Sequence, residues 1–252
     1  MNLFNPYLFW EEDYITLEDS FLELITFVPL SKEHEEVWSL KLANLLLLIG
    51  SSIESFFQCA ISSLRFSGIY QYLEIPHGRV WYVPEDFISS RYHERLLSDE
   101  KPNMGLYRDI FKECYDLSNK TVYILRNMGE ITPFEEWNND RSPGWWKNYT
   151  DIKHEKYKNL KSATLKTVLN SLAALFLLNI YHFDTRSYLV SKGIIRGNVD
   201  LNNYTFLKSK ERLDTLQPII AKTNLFGYVW ETTGHWGQYP WNILDPGNIY
   251  DL

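Results

Sequence analysis

Cysteine is almost missing from this sequence, and so is the chemistry that depends on thiols. The two cysteines, Cys59 and Cys114, are too few for a disulfide framework or a four-cysteine metal site, and we expect both to be buried thiols. The sequence also lacks a Gly-rich phosphate loop, a His-Glu-x-x-His zinc helix, a Gly-x-Ser-x-Gly nucleophile elbow and a Cys-x-x-Cys pair. No site of these familiar kinds is therefore predicted, and we expect neither a metal nor a cofactor.

Uninterrupted hydrophobic runs are scarce as well. The most apolar stretches, residues 45–49 and 173–180, are interrupted by polar residues well before the roughly 20 apolar residues that span a bilayer. The N-terminus has neither the basic region nor the apolar stretch of a signal peptide. We therefore expect a cytoplasmic protein without a membrane span.

Positive charge is in deficit over the whole chain. The net charge is -7, from 25 Lys and Arg against 32 Asp and Glu, which argues against a protein whose entire surface binds nucleic acid. Any site for a polyanion must be local. Hydrophobic residues make up 45% and aromatic residues 16% of the 252 residues, a composition that predicts one folded globular domain, or one domain with an appended lobe.

Two long amphipathic helices dominate the periodicity. Ser31 precedes several glutamates, a pattern typical of an N-cap with acidic residues at the positive end of a helix dipole, and this helix is expected to end near Gly68. A second long helix is expected to begin at Ser162. Its apolar stripe matches the first in length and character, so we expect the two to pack antiparallel as the spine of a bundle. The stripes consist of Trp38, Leu42, Leu45, Ile49, Ile53, Phe56, Ala60 and Leu64 in the first helix, and Leu165, Val168, Leu169, Leu172, Phe176, Ile180 and Phe183 in the second.

Shorter elements fill the rest of the pattern. A helix is expected at residues 106–117, and another from Ser142, as N-cap with Pro143 at the first helical position, to about residue 159. Aromatic and β-branched residues next to prolines or polar turns predict short strands. These strands are expected at residues 25–29, 80–83, 121–125 and 225–230.

The predicted fold class is mainly α, a helical bundle built on two long antiparallel helices, with small peripheral β elements. Residues 1–190 are expected to form the helical domain with its short N-terminal strand. Residues 191–252 are expected to form an aromatic-rich C-terminal region packed on that domain.

One helix carries the residues best suited to chemistry. Seven residues nearly complete two helical turns, so Lys147, Asp151 and His154 share one face, while Trp145 and its neighbours lie on the opposite face and can hold the helix on the core. A histidine beside a cation and a carboxylate can transfer protons near neutral pH, and a lysine can neutralise charge on a phosphate. The alternative is an ordinary solvated charged face.

Basic residues are concentrated around the same helix. Between residues 141 and 166 there are seven Lys and Arg against two acidic residues, a local balance of +5 in a chain of net charge -7. Such a patch suits a phosphate backbone, although basic residues at helix ends also complement the helix dipole. The residues expected to bind nucleic acid are Arg141, Lys153, Lys156 and Lys158.

The sequence at this point resembles the HEPN superfamily. The features that carry the resemblance are a long helix containing GSSIESFF at 50–57, the pattern Trp-Trp-x-x-Tyr-x-x-Ile-Lys-His at 145–154, and a long Ala/Leu-rich helix after it. The similarity covers roughly residues 31–188. Active members of that superfamily are α-helical dimers that cut RNA without a metal, using an Arg, a polar residue after it, and a His four to six residues further on.

The resemblance implies a role for each residue at the matching positions. Lys147 would occupy the Arg position, Asn148 the polar position, and His154 the His position. His154 would act as general acid or base, Lys147 would stabilise the pentacoordinate phosphate, and Asp151 or Asn148 would orient the histidine. This chain departs from the family pattern at Lys147. Lysine keeps the charge of arginine but cannot form the two parallel hydrogen bonds with which a guanidinium binds phosphate.

Two functions follow as hypotheses of different classes. The first is an RNA-directed protein, a metal-independent endoribonuclease of a toxin or phage-defence system, with a homodimeric structure and an antitoxin or other partner protein. The second is a non-catalytic helical module that binds a protein or a nucleotide, as inactive members of the superfamily do. Cleavage of RNA by the purified protein separates them.

Overall fold

The structure, a computed structural model, describes residues 5–67, 103–126, 129–197, 199–200, 205–206 and 219–230. Most of these residues are helical, and a small antiparallel sheet accompanies the helices. The mainly α fold class is therefore confirmed at this level. The strand expected at residues 80–83 and most of the aromatic-rich C-terminal region lie outside the described residues.

The N-terminal segment forms a helix. It is π-helical at Leu8–Ile15 and continues as helix α1, Thr16–Ile25. The strand predicted at residues 25–29 is wrong, since Ile25 is the last residue of α1 and the chain then turns. Steps of four and three residues place one apolar stripe in the core, and burial of this stripe outweighs the local β propensity of the segment. The stripe consists of Trp10, Tyr14, Leu17, Phe21 and Leu24.

Helix α2, Leu40–Ser67, is the longest element. It begins eight residues later than predicted, and Ser31, the expected N-cap, instead precedes a short 3-10 turn, Lys32–His34, and caps nothing with its side chain. Ser39 takes the capping position, because its hydroxyl accepts a hydrogen bond of 3.1 Å from the backbone N–H of Leu42. The predicted stripe is buried at Leu42, Leu45, Ile49, Ile53, Phe56 and Ala60.

Five further helices follow in the described part of the chain: α3, Met104–Tyr115; α4, Gly144–His154; α5, Lys156–Asn159; α6, Leu165–Tyr181; and α7, Phe183–Ser191. Their sequence-predicted starts are shifted by a few residues. Pro143 stands at the N-cap of α4, where Ser142 was expected, and Thr164 caps α6 in place of Ser162. The helix expected to run to residue 159 is broken at Glu155, between α4 and α5.

The two long helices, α2 and α6, run side by side in the same direction. Just before they begin, Trp38 and Thr164 form a backbone bridge, and the N–H of Leu165 donates to the carbonyl of Val37 at 2.8 Å. Further along both helices, the ring of Phe56 in α2 meets edge-on the ring of His182 just after α6, with 5.4 Å between the centroids. Because neighbouring starts and neighbouring later turns require a parallel pair, the predicted antiparallel arrangement of these two helices is wrong.

The antiparallel neighbour of α2 is the N-terminal helix. Phe9 packs against Phe56, with 5.3 Å between ring centroids, while at the other end Glu23 forms an ion pair of 3.2 Å with Lys41. The same N-terminal helix also reaches α6, where Trp10 contacts Phe176 at 6.4 Å between centroids. The core therefore lies between these three helices.

The strands are β1, Val122–Ile124; β2, Gly129–Ile131; β3, Ile195–Arg196; β4, Val199–Asp200; β5, Thr205–Phe206; β6, Ile220–Lys222; and β7, Phe226–Val229. Five of them form an antiparallel sheet in the order β2-β1-β7-β6-β3, and β4 pairs with β5 separately. The strands predicted at 121–125 and 225–230 are confirmed as β1 and β7.

The five-stranded sheet is part of the core. Phe226 of β7 is fully buried and packs against Phe176 of α6, with 5.7 Å between ring centroids. The predicted peripheral position of the β elements is therefore wrong for this sheet. Because β7 pairs with β1, residues from beyond position 191 share one sheet with the helical part.

A buried carboxylate connects the N-terminal helix to the sheet. Glu18 accepts hydrogen bonds from the hydroxyls of Tyr14 and Thr223, and Thr223 lies in the turn between β6 and β7. Burial raises the pKa of Glu18, while these hydrogen bonds act in the opposite direction. A buried charge needs such partners, so this cluster is best explained as a structural link.

One stretch within α2, Leu40–Ala60, is long and apolar enough to cross a membrane by length and composition alone. Half of it is buried inside the protein, as in the core helix of a bundle. Its outward face carries polar residues at helical spacing, including Lys41, Asn44 and Ser51.

Candidate functional site

Helix α4 is held on the core by its aromatic face. Trp145, Tyr149 and Ile152 are buried, as the sequence predicts, and the indole N–H of Trp145 donates to the carbonyl of Pro133 at 2.7 Å. Tyr149 lies directly against the backbone of Gly50, where an added Cβ would come within 2.2 Å of the ring. The missing side chain at Gly50 is therefore what lets α4 approach α2 so closely.

The opposite face of α4 is exposed and carries the predicted catalytic residues. Lys147 and Asp151 form an ion pair, and the lysine side chain remains 71% exposed. His154 is exposed one turn further on, and no hydrogen bond joins its side chain to any of the residues that the structure describes. The helix thus displays all three residues on one side.

Asn148 is placed differently from the other three. Its amide N–H donates to the hydroxyl of Thr167, in the first turn of α6, at 3.1 Å. This contact joins α4 to α6 and occupies the amide. Of the two residues predicted to orient His154, only Asp151 stands on the exposed face with Lys147.

A polar cluster that the sequence did not reveal lies between α4 and α2. Glu54 of α2 accepts a hydrogen bond from the hydroxyl of Tyr149 at 2.9 Å and one from the ammonium of Lys153 at 2.7 Å, both on the same carboxylate oxygen. Partial burial by itself raises the pKa of Glu54, but the hydrogen bonds from Lys153 and Tyr149 prevail and hold it below the ordinary value. The hydrogen bond between Lys153 and Glu54 in turn raises the pKa of Lys153.

The predicted nucleic-acid contacts are partly occupied by the protein itself. Lys153 is paired with Glu54, and Lys158 is paired with Glu155 at 2.8 Å. Lys156 instead donates to the side-chain carbonyl of Asn44 at 2.6 Å. The side chain of Arg141, the fourth predicted contact, is exposed and forms no hydrogen bond within the described part of the chain.

Carboxylates from elsewhere in the chain reduce the local positive charge. Lys166 pairs with Glu35 at 2.9 Å, and Lys153 pairs with Glu54. Adding these two carboxylates to the segment changes its balance from +5 to +3. The sequence window overstated the charge because both acidic partners lie about a hundred or more residues away.

The lysines at positions 156 and 161 have neutral partners. The ammonium of Lys161 lies over the ring of Trp38, 5.9 Å from its centroid, and Lys156 binds an amide. Between them Tyr157 projects into solvent and is 89% exposed. Lys156 and Lys161 thus attach this segment beside the start of α2, and its exposed residues follow His154 in the chain.

The arrangement can perform acid–base chemistry at an exposed surface. An exposed imidazole can exchange protons with a bound ligand, and a lysine one or two turns away can neutralise an anion. Among the described residues, no group of three or more His, Cys, Asp and Glu side chains is placed to hold a metal ion.

No family model, no curated protein and no solved structure matches this chain. The resemblance to the HEPN superfamily therefore remains a prediction, and the site rests on the geometry of these residues alone.

Proposed function

We propose that the chain is a HEPN-like RNA-directed protein that acts as a metal-independent endoribonuclease in a cytoplasmic toxin or defence system. The observation that carries the proposal is the exposed face of α4, where Lys147, Asp151 and His154 stand together on a helix held from behind by buried aromatic rings. A rigid helix that presents a histidine and a cation is suited to cleave a flexible polyanion.

In this mechanism the imidazole of His154 takes the proton from the 2′-hydroxyl of the substrate, and the 2′-oxygen then attacks the neighbouring phosphorus. The bond from phosphorus to the 5′-oxygen breaks, and that oxygen receives a proton as it leaves. The products are a 2′,3′-cyclic phosphate and a 5′-hydroxyl. Lys147 stabilises the charge on the pentacoordinate phosphate, for which it must turn from Asp151 toward the substrate.

A second copy of the chain completes the proposed site. Two α4 helices facing one another would place two His154 side chains in one cleft, so that one can act as base and the other as acid. An antitoxin or other partner protein would then inhibit by covering this face. These partners follow from the family resemblance.

Cleavage of RNA by the purified protein tests the proposal. His154→Ala should abolish cleavage, whereas His34→Ala, which changes a histidine bonded to the Pro29 carbonyl outside the site, should not. Lys147→Met should abolish activity, and Lys147→Arg should preserve or raise it, because guanidinium grips phosphate with two hydrogen bonds. Activity should survive EDTA. Equal rates for wild type and Lys147→Met would reject these residues.

A second candidate function is a non-catalytic module that binds a protein or a nucleotide. It is favoured by the carboxylates that already neutralise Lys147 and Lys153, because a paired lysine is less available to a phosphate. An intact RNA substrate after incubation with purified dimer would support this alternative.

A further inference from the structure

Two exposed aromatic rings belong to segments that contact one another next to the candidate site. Tyr157 of α5 is 89% exposed, and Trp38, just before α2, is 43% exposed. Large rings that remain in water forgo the burial that usually stabilises them, so two of them in neighbouring segments call for an explanation.

The protein's own contacts hold this surface in place. Lys156, next to Tyr157, is bound to Asn44 of α2 at 2.6 Å, and Lys161 lies over the ring of Trp38. The short segment between these two contacts includes Tyr157. Trp38 therefore lies just before α2, and Tyr157 lies in the segment that these two lysines attach beside the start of that helix.

Two lysines lie in the segment that contains Tyr157. Lys156 and Lys161 contact an amide and an aromatic ring, and neither has a carboxylate within 4.0 Å among the described residues. Aromatic rings interleaved with cations of this kind bind single-stranded nucleic acid, because bases stack on the rings while phosphates lie against the cations.

We propose that Tyr157 and Trp38 form a stacking platform for unpaired bases of single-stranded RNA, whose phosphates contact Lys156 and Lys161. The inference rests on the proposed RNA-directed function and specifies its substrate class. Duplex RNA cannot use the platform, since its bases are stacked on one another and their faces are covered.

A protein partner that docked here would contact other neighbouring side chains than stacked bases would. Leu48, on the exposed side of α2, is 59% exposed and lies one turn beyond Asn44. A protein partner would bury this leucine together with Tyr157, whereas stacked bases need the ring and not the leucine. Leu48→Ser is therefore the matched control.

Binding of a fluorescent single-stranded RNA of about a dozen nucleotides, 2′-O-methylated so that it cannot be cut, tests the proposal. Tyr157→Leu should weaken binding about 5- to 30-fold, while Tyr157→Phe and Leu48→Ser should bind as wild type does. Because Tyr157 and Leu48 are both exposed, none of these three substitutions should alter the melting temperature. Trp38→Leu should also weaken binding, with its folding checked by thermal melting.

Salt dependence separates the rings from the lysines. Two phosphate contacts on a single strand predict a slope of about -1.4 in log K against log salt concentration, and Lys161→Met should reduce it by about 0.7. Tyr157→Leu should leave the slope unchanged, because a ring releases no counterions.

The outcomes distinguish the platform from the proposed function. If RNA binds or is cut and Tyr157→Leu matches wild type, or if Leu48→Ser weakens binding equally, the platform is wrong and the RNA-directed function stands. If duplex RNA of the same sequence binds as tightly, the platform is also wrong. If no single-stranded RNA binds at low salt, both proposals are wrong.

Discussion

Helix α2 is contacted on two sides by segments of very different chemistry. On one side, the N-terminal helix and α6 meet it through buried apolar and aromatic side chains such as Phe9 and Leu172. On the other side, α4 packs the buried ring of Tyr149 against Gly50. Here α4 and α5 also meet α2 through Glu54 and Asn44, which accept hydrogen bonds from a tyrosine and two lysines. The side chains of the first interface are buried, whereas the polar side chains of the second are partly exposed to water.

The stability of the fold and the position of the site depend on different sides of α2. Burial of apolar surface contributes most of the favourable free energy of folding, whereas ion pairs open to solvent contribute about 1 kcal/mol or less. We therefore expect changes on the apolar side to unfold the protein, and changes on the polar side to shift α4 and its exposed residues with little loss of stability.

The largest effect is expected from a charge placed on the apolar side. Leu172 is fully buried in α6, so Leu172→Asp introduces a carboxylate without a partner, at a cost of several kcal/mol against a typical stability of about 5 to 15 kcal/mol. Circular dichroism during thermal unfolding should show a protein that is unfolded or melts far earlier. Asn170→Asp, two residues away and partly exposed, is the control and should melt near wild type. An unchanged melting temperature in Leu172→Asp would contradict this packing.

The next effect lies where the two chemistries meet. Gly50→Ala would normally stabilise a helix by up to about 1 kcal/mol, but here the new Cβ would come within 2.2 Å of the Tyr149 ring. We expect a net destabilisation of about 1 to 3 kcal/mol in urea unfolding, the usual cost of overpacking. Ser51→Ala, at the next and exposed position, should be nearly neutral. In a Tyr149→Ala background the cost of Gly50→Ala should disappear, and its persistence there would exclude the ring as its cause.

The sequence predicted the parts that depend on local periodicity. The buried face of α4, with Trp145, Tyr149 and Ile152, follows from helical spacing alone, as does the exposed face with Lys147. The N-terminal helix had the same signal in the steps from Trp10 to Leu24. It was missed because β-branched and aromatic residues near Ile25 favoured a strand locally, while the burial of the stripe decided the outcome.

The parts that depend on distant residues could not be read from the chain. Periodicity shows which face of a helix is buried but not the direction of its neighbour, so the parallel pairing of α2 and α6 was beyond it. Glu54 lies 99 residues before Lys153, and nothing in the spacing links the two. Gly50 was part of the pattern that suggested a family, yet its contact with Tyr149 appears only in three dimensions.

A smaller effect is expected from pH on the apolar side. Burial, with a contribution from Arg186, lowers the pKa of His182 well below its ordinary value, so the neutral imidazole is the form that the folded state accepts. Its contribution to stability is present above the unfolded pKa, near 6.5, and is lost as pH falls from there toward the folded pKa. Unfolding free energy should drop by about 1.4 kcal/mol per pH unit below 6.5 through this residue. The slope should flatten in His182→Leu, and an equal slope in that variant would assign the proton to another group.

The smallest effect is expected from the polar side. Glu54→Gln keeps an oxygen that can accept from Tyr149 but removes the charge that holds Lys153, so the free energy of unfolding should fall by less than about 1 kcal/mol. The pKa of Glu54 is lowered in the fold, so its contribution is present above the unfolded value near 4.5 and is lost as pH falls through the folded pKa. Salt should shrink the difference between wild type and variant, because the pair is open to solvent.

Lys158→Gln, which breaks an exposed pair within one segment, is the control for a lysine that does not reach α2. If Glu54 positions α4, Glu54→Gln should alter RNA cleavage or binding more than it alters stability. A loss of several kcal/mol in Glu54→Gln would show that this side contributes to stability as the apolar side does, and the contrast between the two sides of α2 would be wrong.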